Sequence, residues 1–232
     1  MDTFLAMEMF IVRLWLPDRP GALGLVASRI GAVRGEIVGI EILERDAGRA
    51  IDELVVNLPD GALQSLLVQE IQQVDGVEVE EIRRVVDVIH DPRLDALETV
   101  AVLLALRDRD ELLAGVVLHA RRAVGAHWAA VVSLEDGAVV AQEGNAPPAP
   151  WLDAFVRGSQ FSDRVLSGDS GPDDVVWSAL PTAGLALVIG RVGSAYRARE
   201  RRQVAALARI VDTRWGEIPR GSAPGDRPGT AR

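Results

Sequence analysis

The sequence predicts an α+β protein of two domains: an N-terminal ferredoxin-like module of order βαββαβ and a C-terminal α/β domain organised on an antiparallel sheet. Three observations predict it. Over the first 85 residues, apolar runs follow strand and helix periods in the order strand, helix, strand, strand, helix, strand. Charge changes near residue 90: residues 1–90 hold 16 acidic residues and 8 arginines, whereas residues 91–232 hold 18 and 17. Beyond that point a helical stretch, two strand pairs and a long closing helix follow, an order unlike the first.

In the first domain, "MFIVRLWL" (residues 9–16) is a short run of large apolar side chains stopped by Pro17, the pattern of a mostly buried strand. A helix should open at Pro20, because proline tolerates the first helical position. Leu23, Val26, Ala27 and Ile30 then recur at helical spacing, and Gly31 and Gly35 mark its end. Ile37, Ile40 and Ile42, then Ile51, Leu54 and Val56, supply two strand arms joined at Asp46-Ala47-Gly48, the signature of a hairpin. Leu63, Leu66, Leu67, Ile71 and Val74 make an amphipathic helix, and "GVEVEEIRRVVDV" alternates as a half-exposed edge strand.

From Asp91 the chain reads as a connecting helix broken near Arg107–Asp110, then a second helix capped by Asp108 or Asp110 with Leu112, Val116, Leu118 and Val124 on its core face. "HWAAVVSLEDGAVVAQEG" is a strand, an Asp136-Gly137 turn and a returning strand. A loop-rich middle with a short helix around Trp151–Arg157 leads to the strands "VVWSALP" and "GLALVIGR" and a helix from about Arg197 to Arg214. Residues 216–232 are rich in Pro and Gly and read as a disordered tail.

Composition removes whole classes of chemistry. There is no cysteine, which excludes disulfides, thiol nucleophiles and zinc-thiolate sites, and all 25 basic residues are arginine, which excludes Schiff-base and phosphate-loop lysines. A net charge of −9 argues against nucleic acid as a partner. No apolar run reaches the roughly 20 residues of a membrane span, and Asp2 and Glu8 stand where a secretory signal carries positive charge, so a cytoplasmic protein with no membrane partner is expected.

The first strand followed by "DRPGALG", the second strand entered through "RGEIVGI", and the helix opening "PDGALQSLL" resemble an ACT domain, a small-molecule-binding regulatory module. The second half is similar to a compact GAF domain: a strand, Arg191, Tyr196, Glu200 and a closing helix match its usual ending. The expected organisation is an ACT-like domain over residues 9–87, a connecting helix over 88–108, a GAF-like domain over 109–215 and the tail over 216–232. The resemblance implies a regulatory sensor rather than an enzyme. A homodimer with sheets paired side by side would bind a small metabolite, an amino acid or another amine, and report through an output protein not named by the sequence. A protein-interaction module with no small ligand, or a regulatory subunit of an amino-acid metabolic enzyme, is the alternative.

The residues themselves support a site at the first loop. A helix N-terminus offers unpaired N–H groups and partial positive charge to a carboxylate, Gly21 admits close approach of the backbone, and Asp18 can accept from an ammonium group. The bland reading is that Pro20 and Gly21 start the helix and Asp18 caps it. By the ACT resemblance, the ligand contacts are Asp18, Arg19, Pro20, Gly21, Ala22 and Leu23 from the loop, with Glu36 and Ile37 opening the second strand. Amino-acid binders often carry Asn at both key places; Asp18 and Glu36 here make the pocket strongly negative, which suits a cationic group and repels a carboxylate. The same tetrapeptide, Asp-Arg-Pro-Gly, recurs at Asp226–Gly229 in the expected tail, where nothing fixes it.

No catalytic residue, metal site or cofactor is assigned. His90, His119 and His127 have no serine or carboxylate at hydrolase spacing. Glu80 and Glu81, adjacent on a strand, point to opposite faces and read as a solvated edge. Seven arginines between Arg191 and Arg214 read as a solvated helix face with intrahelical pairs such as those to Glu200; docking onto the acidic first domain or an acidic partner is the other reading.

Overall fold

A computed structural model describes residues 8–85, 92–160 and 172–219. It divides into two compact units, the first being Met1–Leu94 with Ser167–Val175 and Val192–Gln203. This unit contains β1 (Glu8–Pro17), α1 (Ala22–Ala32), β2 (Glu36–Asp46), β3 (Arg49–Leu58), a single 3₁₀ turn (Gly61–Leu63), α2 (Gln64–Gln72) and β4 (Glu78–Val85). The strand order is β2-β3-β1-β4, with β1 antiparallel to β3 and β4, and β2 antiparallel to β3. It is the ferredoxin-like, ACT-like arrangement the sequence predicts.

Register explains the core. Phe10, Val12, Leu14 and Leu16 occupy alternate positions of β1, and Ala50, Leu54, Val56 and Leu58 hold the same phase on β3. These residues share one cluster with Ala22, Val26 and Ile30 of α1 and Leu67 and Ile71 of α2. Ala47 and Gly48 both have left-handed φ, 47° and 78°, as a two-residue hairpin turn that follows strand twist requires.

Three expectations are corrected here. Pro20 is not the first helical residue: Gly21 adopts φ 89°, outside helical space, so α1 begins at Ala22. Asp18 does not cap α1, which has no side-chain cap. Glu80 is not on a solvated edge: the register slips between Arg13 and Leu14, leaving Glu80 as the extra residue of a bulge, and its carboxylate pairs with Arg197.

The face of the sheet away from the helices carries Arg13, 3% exposed. Its guanidinium donates to Glu53 at 2.9 Å, to Glu200 at 3.1 Å and to the Ala195 carbonyl at 3.3 Å. Arg199 pairs with Glu41 at 2.7 Å, and Arg197 also stands 4.9 Å from the Trp15 ring. The reading of these arginines as a solvated face with intrahelical pairs therefore fails for Arg197 and Arg199, which pair with Glu80 and Glu41 on distant strands, whereas Arg201 and Arg202 donate to backbone carbonyls.

The second unit is Asp95–Leu166, Val176–Arg191 and Val204–Arg232. Its elements are α3 (Pro92–Ala105), α4 (Arg109–Ala123), β5 (Trp128–Ser133), β6 (Val139–Gly144), α5 (Ala149–Gln160), β7 (Val175–Leu180), β8 (Leu185–Gly190) and α6 (Ala198–Glu217), of which α3, β7 and α6 begin in the first unit. The sheet order is β6-β5-β8-β7, with β5 antiparallel to both neighbours, the GAF-like arrangement expected. Strand β8 is buried throughout and Ala129–Val132 of β5 are fully buried, while α4 packs on β5, β6 and β8.

Asp108 caps α4, accepting from the N–H groups of Asp110 and Glu111 at 2.9 and 3.0 Å, so the helical stretch breaks where the sequence places the break. The closing helix runs to Glu217, so Gly216 and Glu217, expected in the tail, form its last turn. Its Arg214 donates twice to the Leu106 carbonyl and its Asp212 accepts from Thr182 and Ala183 N–H groups. His90, residues 220–232 and the second Asp-Arg-Pro-Gly copy lie outside the described residues.

Candidate functional site

The loop between β1 and α1 is fixed at both ends. The Asp18 N–H donates to the Gly48 carbonyl at 2.9 Å, which ties the end of β1 to the hairpin turn. At the other end Ala22 is buried in the core. Between these anchors Asp18, Arg19, Pro20 and Gly21 are exposed. A Cβ on Gly21 would meet nothing within 4 Å, so glycine serves its left-handed backbone here rather than a tight contact.

Glycine at the N-cap leaves the helix start without a side-chain acceptor. Ala22 N–H reaches the Arg19 carbonyl and Leu25 N–H the Gly21 carbonyl, whereas the N–H groups of Leu23 and Gly24 have no acceptor among the described residues. The Asp18 carboxylate stands 3.9 Å from the Arg45 guanidinium, both well exposed, a weak ion pair that offsets part of the loop's negative charge.

Glu36 is not beside this loop within one chain. It pairs with Asn57, which pairs with Met9, while the loop follows Pro17, opposite Arg49. At roughly 3.3 Å per strand residue these ends of the sheet are about 26 Å apart. Asp18 and Glu36 come together only if a second copy supplies one of them. Ile37 packs against the core and Ala22 is inside it, so neither presents its side chain as Asp18 and Arg19 do.

One residue at the loop's end of the sheet escaped the sequence reading. Asp52, on β3, lies opposite Leu14 and Ile42 on the helix-covered face and is only 4% exposed, and its Oδ1 has no hydrogen-bond partner. Burial pushes its pKa up; Arg45 opposes that and Asp18 adds to it. A signal for it exists in the sequence: Asp52 falls in phase with Ala50, Leu54 and Val56, a charge where the strand period demands an apolar residue.

On the other face, a cavity of about 190 Å³ is lined by Trp15, Glu44, Asp46, Arg49 and Arg197 among others. Its guanidiniums are already engaged, Arg49 with Glu78 and Trp15, Arg197 with Glu80 and Trp15. Among the described residues no group of three or more His, Cys, Asp or Glu side chains could hold a metal ion, and no helix is long and apolar enough to cross a membrane.

No family model and no curated protein matches the chain. Among solved structures, the ACT domain from GTP pyrophosphokinase of Chlorobium tepidum is similar at 16% identity and TM-score 0.28, over 34% of this chain and 100% of that domain. A bacteriophytochrome from R. palustris is similar at 10% identity and TM-score 0.39, over 76% of this chain and 42% of that one. The photosensory core module of Stigmatella aurantiaca phytochrome is similar at 14% identity and TM-score 0.39, over 75% of this chain and 41% of that one. The chain thus spans less than half the length of either phytochrome. At these TM-scores the fold assignment rests on the chain's own strand order and register.

Proposed function

We propose that this protein is a cytoplasmic, non-enzymatic regulatory sensor. It binds a small metabolite of the amino-acid class at the Asp18–Leu23 loop, between the ACT-like domains of two copies, and reports through its GAF-like domain to another chain. The observation that carries this reading is the open first turn of α1: Gly21 at the N-cap has no side chain to accept from it, and the Leu23 and Gly24 N–H groups next to the exposed loop have no acceptor among the described residues, a start that suits a carboxylate. Two copies are part of the proposal because Glu36 reaches the loop only from a second chain. Exposed Val38, Ile40 and Ile42 on the edge strand β2 supply an apolar stripe for that pairing.

The test is a thermal-shift screen of the full chain against the free amino acids and polyamines, repeated on Asp18→Ala and Glu36→Ala. Stabilisation of the wild type that both variants lose is expected by mass action. A screen in which no compound gives a shift that the variants lose removes the reading. Light scattering at micromolar concentration should return a dimer mass, and a monomer contradicts the shared site.

A second reading, a protein-interaction module with no small ligand, draws on α3, where Leu94, Leu97 and Leu104 are exposed on one side of the helix. It predicts a partner that co-purifies with the wild type and is lost on Leu97→Asp, together with an empty ligand screen.

A further inference from the structure

Two bulges set the chemistry of the sheet face away from the helices. On β2 the register slips between Ile42 and Glu44, leaving Leu43 as the extra residue. Strand alternation alone would put Glu44 on the face of Ile42. The slip pairs it instead with Ile51, which lies opposite Trp15 on the other face. Asp46, two residues on, pairs with Arg49 on that same face. The slip on β4 leaves Glu80 to meet Arg197. Trp15, Glu44, Asp46, Arg49, Ile51 and Arg197 line one cavity of about 190 Å³, in which Ile51 is buried.

Charge in this cavity does not balance. Arg49 pairs with Glu78 at 3.1 Å and Arg197 with Glu80, and the two guanidiniums stand 5.0 and 4.9 Å from the Trp15 ring. Those two pairs cancel. The carboxylates of Glu44 and Asp46 have no partner among the described residues and leave the cavity negative. At roughly 3.3 Å per strand residue their backbones are about 7 Å apart, so one ammonium group, with three N–H donors, reaches both. Beside them stand the apolar Ile51 and an indole that two arginines hold in place before any ligand arrives.

We propose that this cavity binds a small primary amine, its ammonium group between Glu44 and Asp46 and its short apolar body against Ile51 and the Trp15 ring. At about 30 Å³ per water, the volume holds on the order of six waters, or an organic cation of that bulk. The two carboxylates repel the corresponding anion. The cavity shares no residue with the Asp18–Leu23 loop, so the two readings stand or fall separately.

The test is calorimetric titration of the full chain, at fixed ionic strength, with isoamylamine and with its neutral and anionic counterparts, isoamyl alcohol and isovalerate. Binding of the amine alone is expected. It should weaken at least about tenfold in the double variant Glu44→Gln, Asp46→Asn, as loss of charge-assisted hydrogen bonds requires. An amine that the folded variant binds within about twofold of the wild type sits elsewhere and overturns the assignment. Should the variant fail to fold, the wild type decides: alcohol or isovalerate bound as tightly as the amine overturns it. So does a wild type that takes up no amine at millimolar concentration.

Discussion

Arg13 and Asp52 are near neighbours in one sheet, yet they stand in opposite circumstances. Arg13 on β1 pairs in register with Glu53, and Leu14, the next residue, pairs with Asp52, so the two charges lie one step apart on opposite faces. Their burial is nearly equal, 3% and 4% exposed. Burial acts to lower the Arg13 pKa, but Glu200 and Glu53 outweigh it and the net direction is upward. Asp52 has no hydrogen-bond partner for its buried oxygen, and burial drives its pKa upward against the charged form. Equal burial therefore says nothing about role; the partner inventory does. Arg13 is an ion satisfied by its partners, whereas Asp52 keeps a buried oxygen without one.

The comparison breaks first at Arg13. Arg13→Leu removes the guanidinium that Glu53 and Glu200 share, leaving Glu200 its bond from the Arg197 N–H, and should destabilise the protein by about 3 kcal/mol, read as a lowered urea midpoint. A loss under about 1 kcal/mol would remove the structural half of the contrast. Asp52→Asn should act in the other direction, raising stability by on the order of 1 kcal/mol at neutral pH.

The pH dependence of that gain follows from the sign of the shift. Because the folded pKa of Asp52 is raised, its ionisation destabilises the fold progressively as pH rises from the ordinary carboxylate value through the raised one. Below that window both proteins carry a neutral group, so the Asn advantage should vanish in acid and be complete at neutral pH. Urea midpoints for wild type and variant that stay parallel across this window would contradict it.

A smaller effect sharpens the contrast between the two helix starts. Asp108 closes the first turn of α4, so Asp108→Ala should cost about 1 kcal/mol. Asp18 caps nothing and makes only an exposed pair with Arg45, so Asp18→Ala should change apo stability by less than about 0.5 kcal/mol while abolishing the ligand-induced shift. Unfolding curves of the two alanine variants, measured together, check both.

The sequence disclosed whatever depends on local period and turn chemistry. The hairpin was legible because Asp46-Ala47-Gly48 interrupts two apolar arms, and the break before α4 because Asp108 is a capping residue. The partners of Arg13 lie 40 and 187 residues away, beyond the reach of any local pattern, so its role was not legible. Glu80 misled for a related reason: a bulge, set by pairing with β1, turns it out of strand alternation. Asp18 and Glu36 were both legible as polar residues flanking strands, but their separation at opposite ends of one sheet follows from strand register and not from any local pattern. Asp52 was visible in principle as a charge in core phase, a conflict between local pattern and chemistry of the kind that marks functional sites.

The most direct measurement is a thermal-shift comparison of the wild type and Asp18→Ala against the free amino acids and polyamines. A shift of the wild type that the variant loses is the expected result. A wild type that no compound shifts, or a variant that shifts as the wild type does, would contradict a ligand site at this loop.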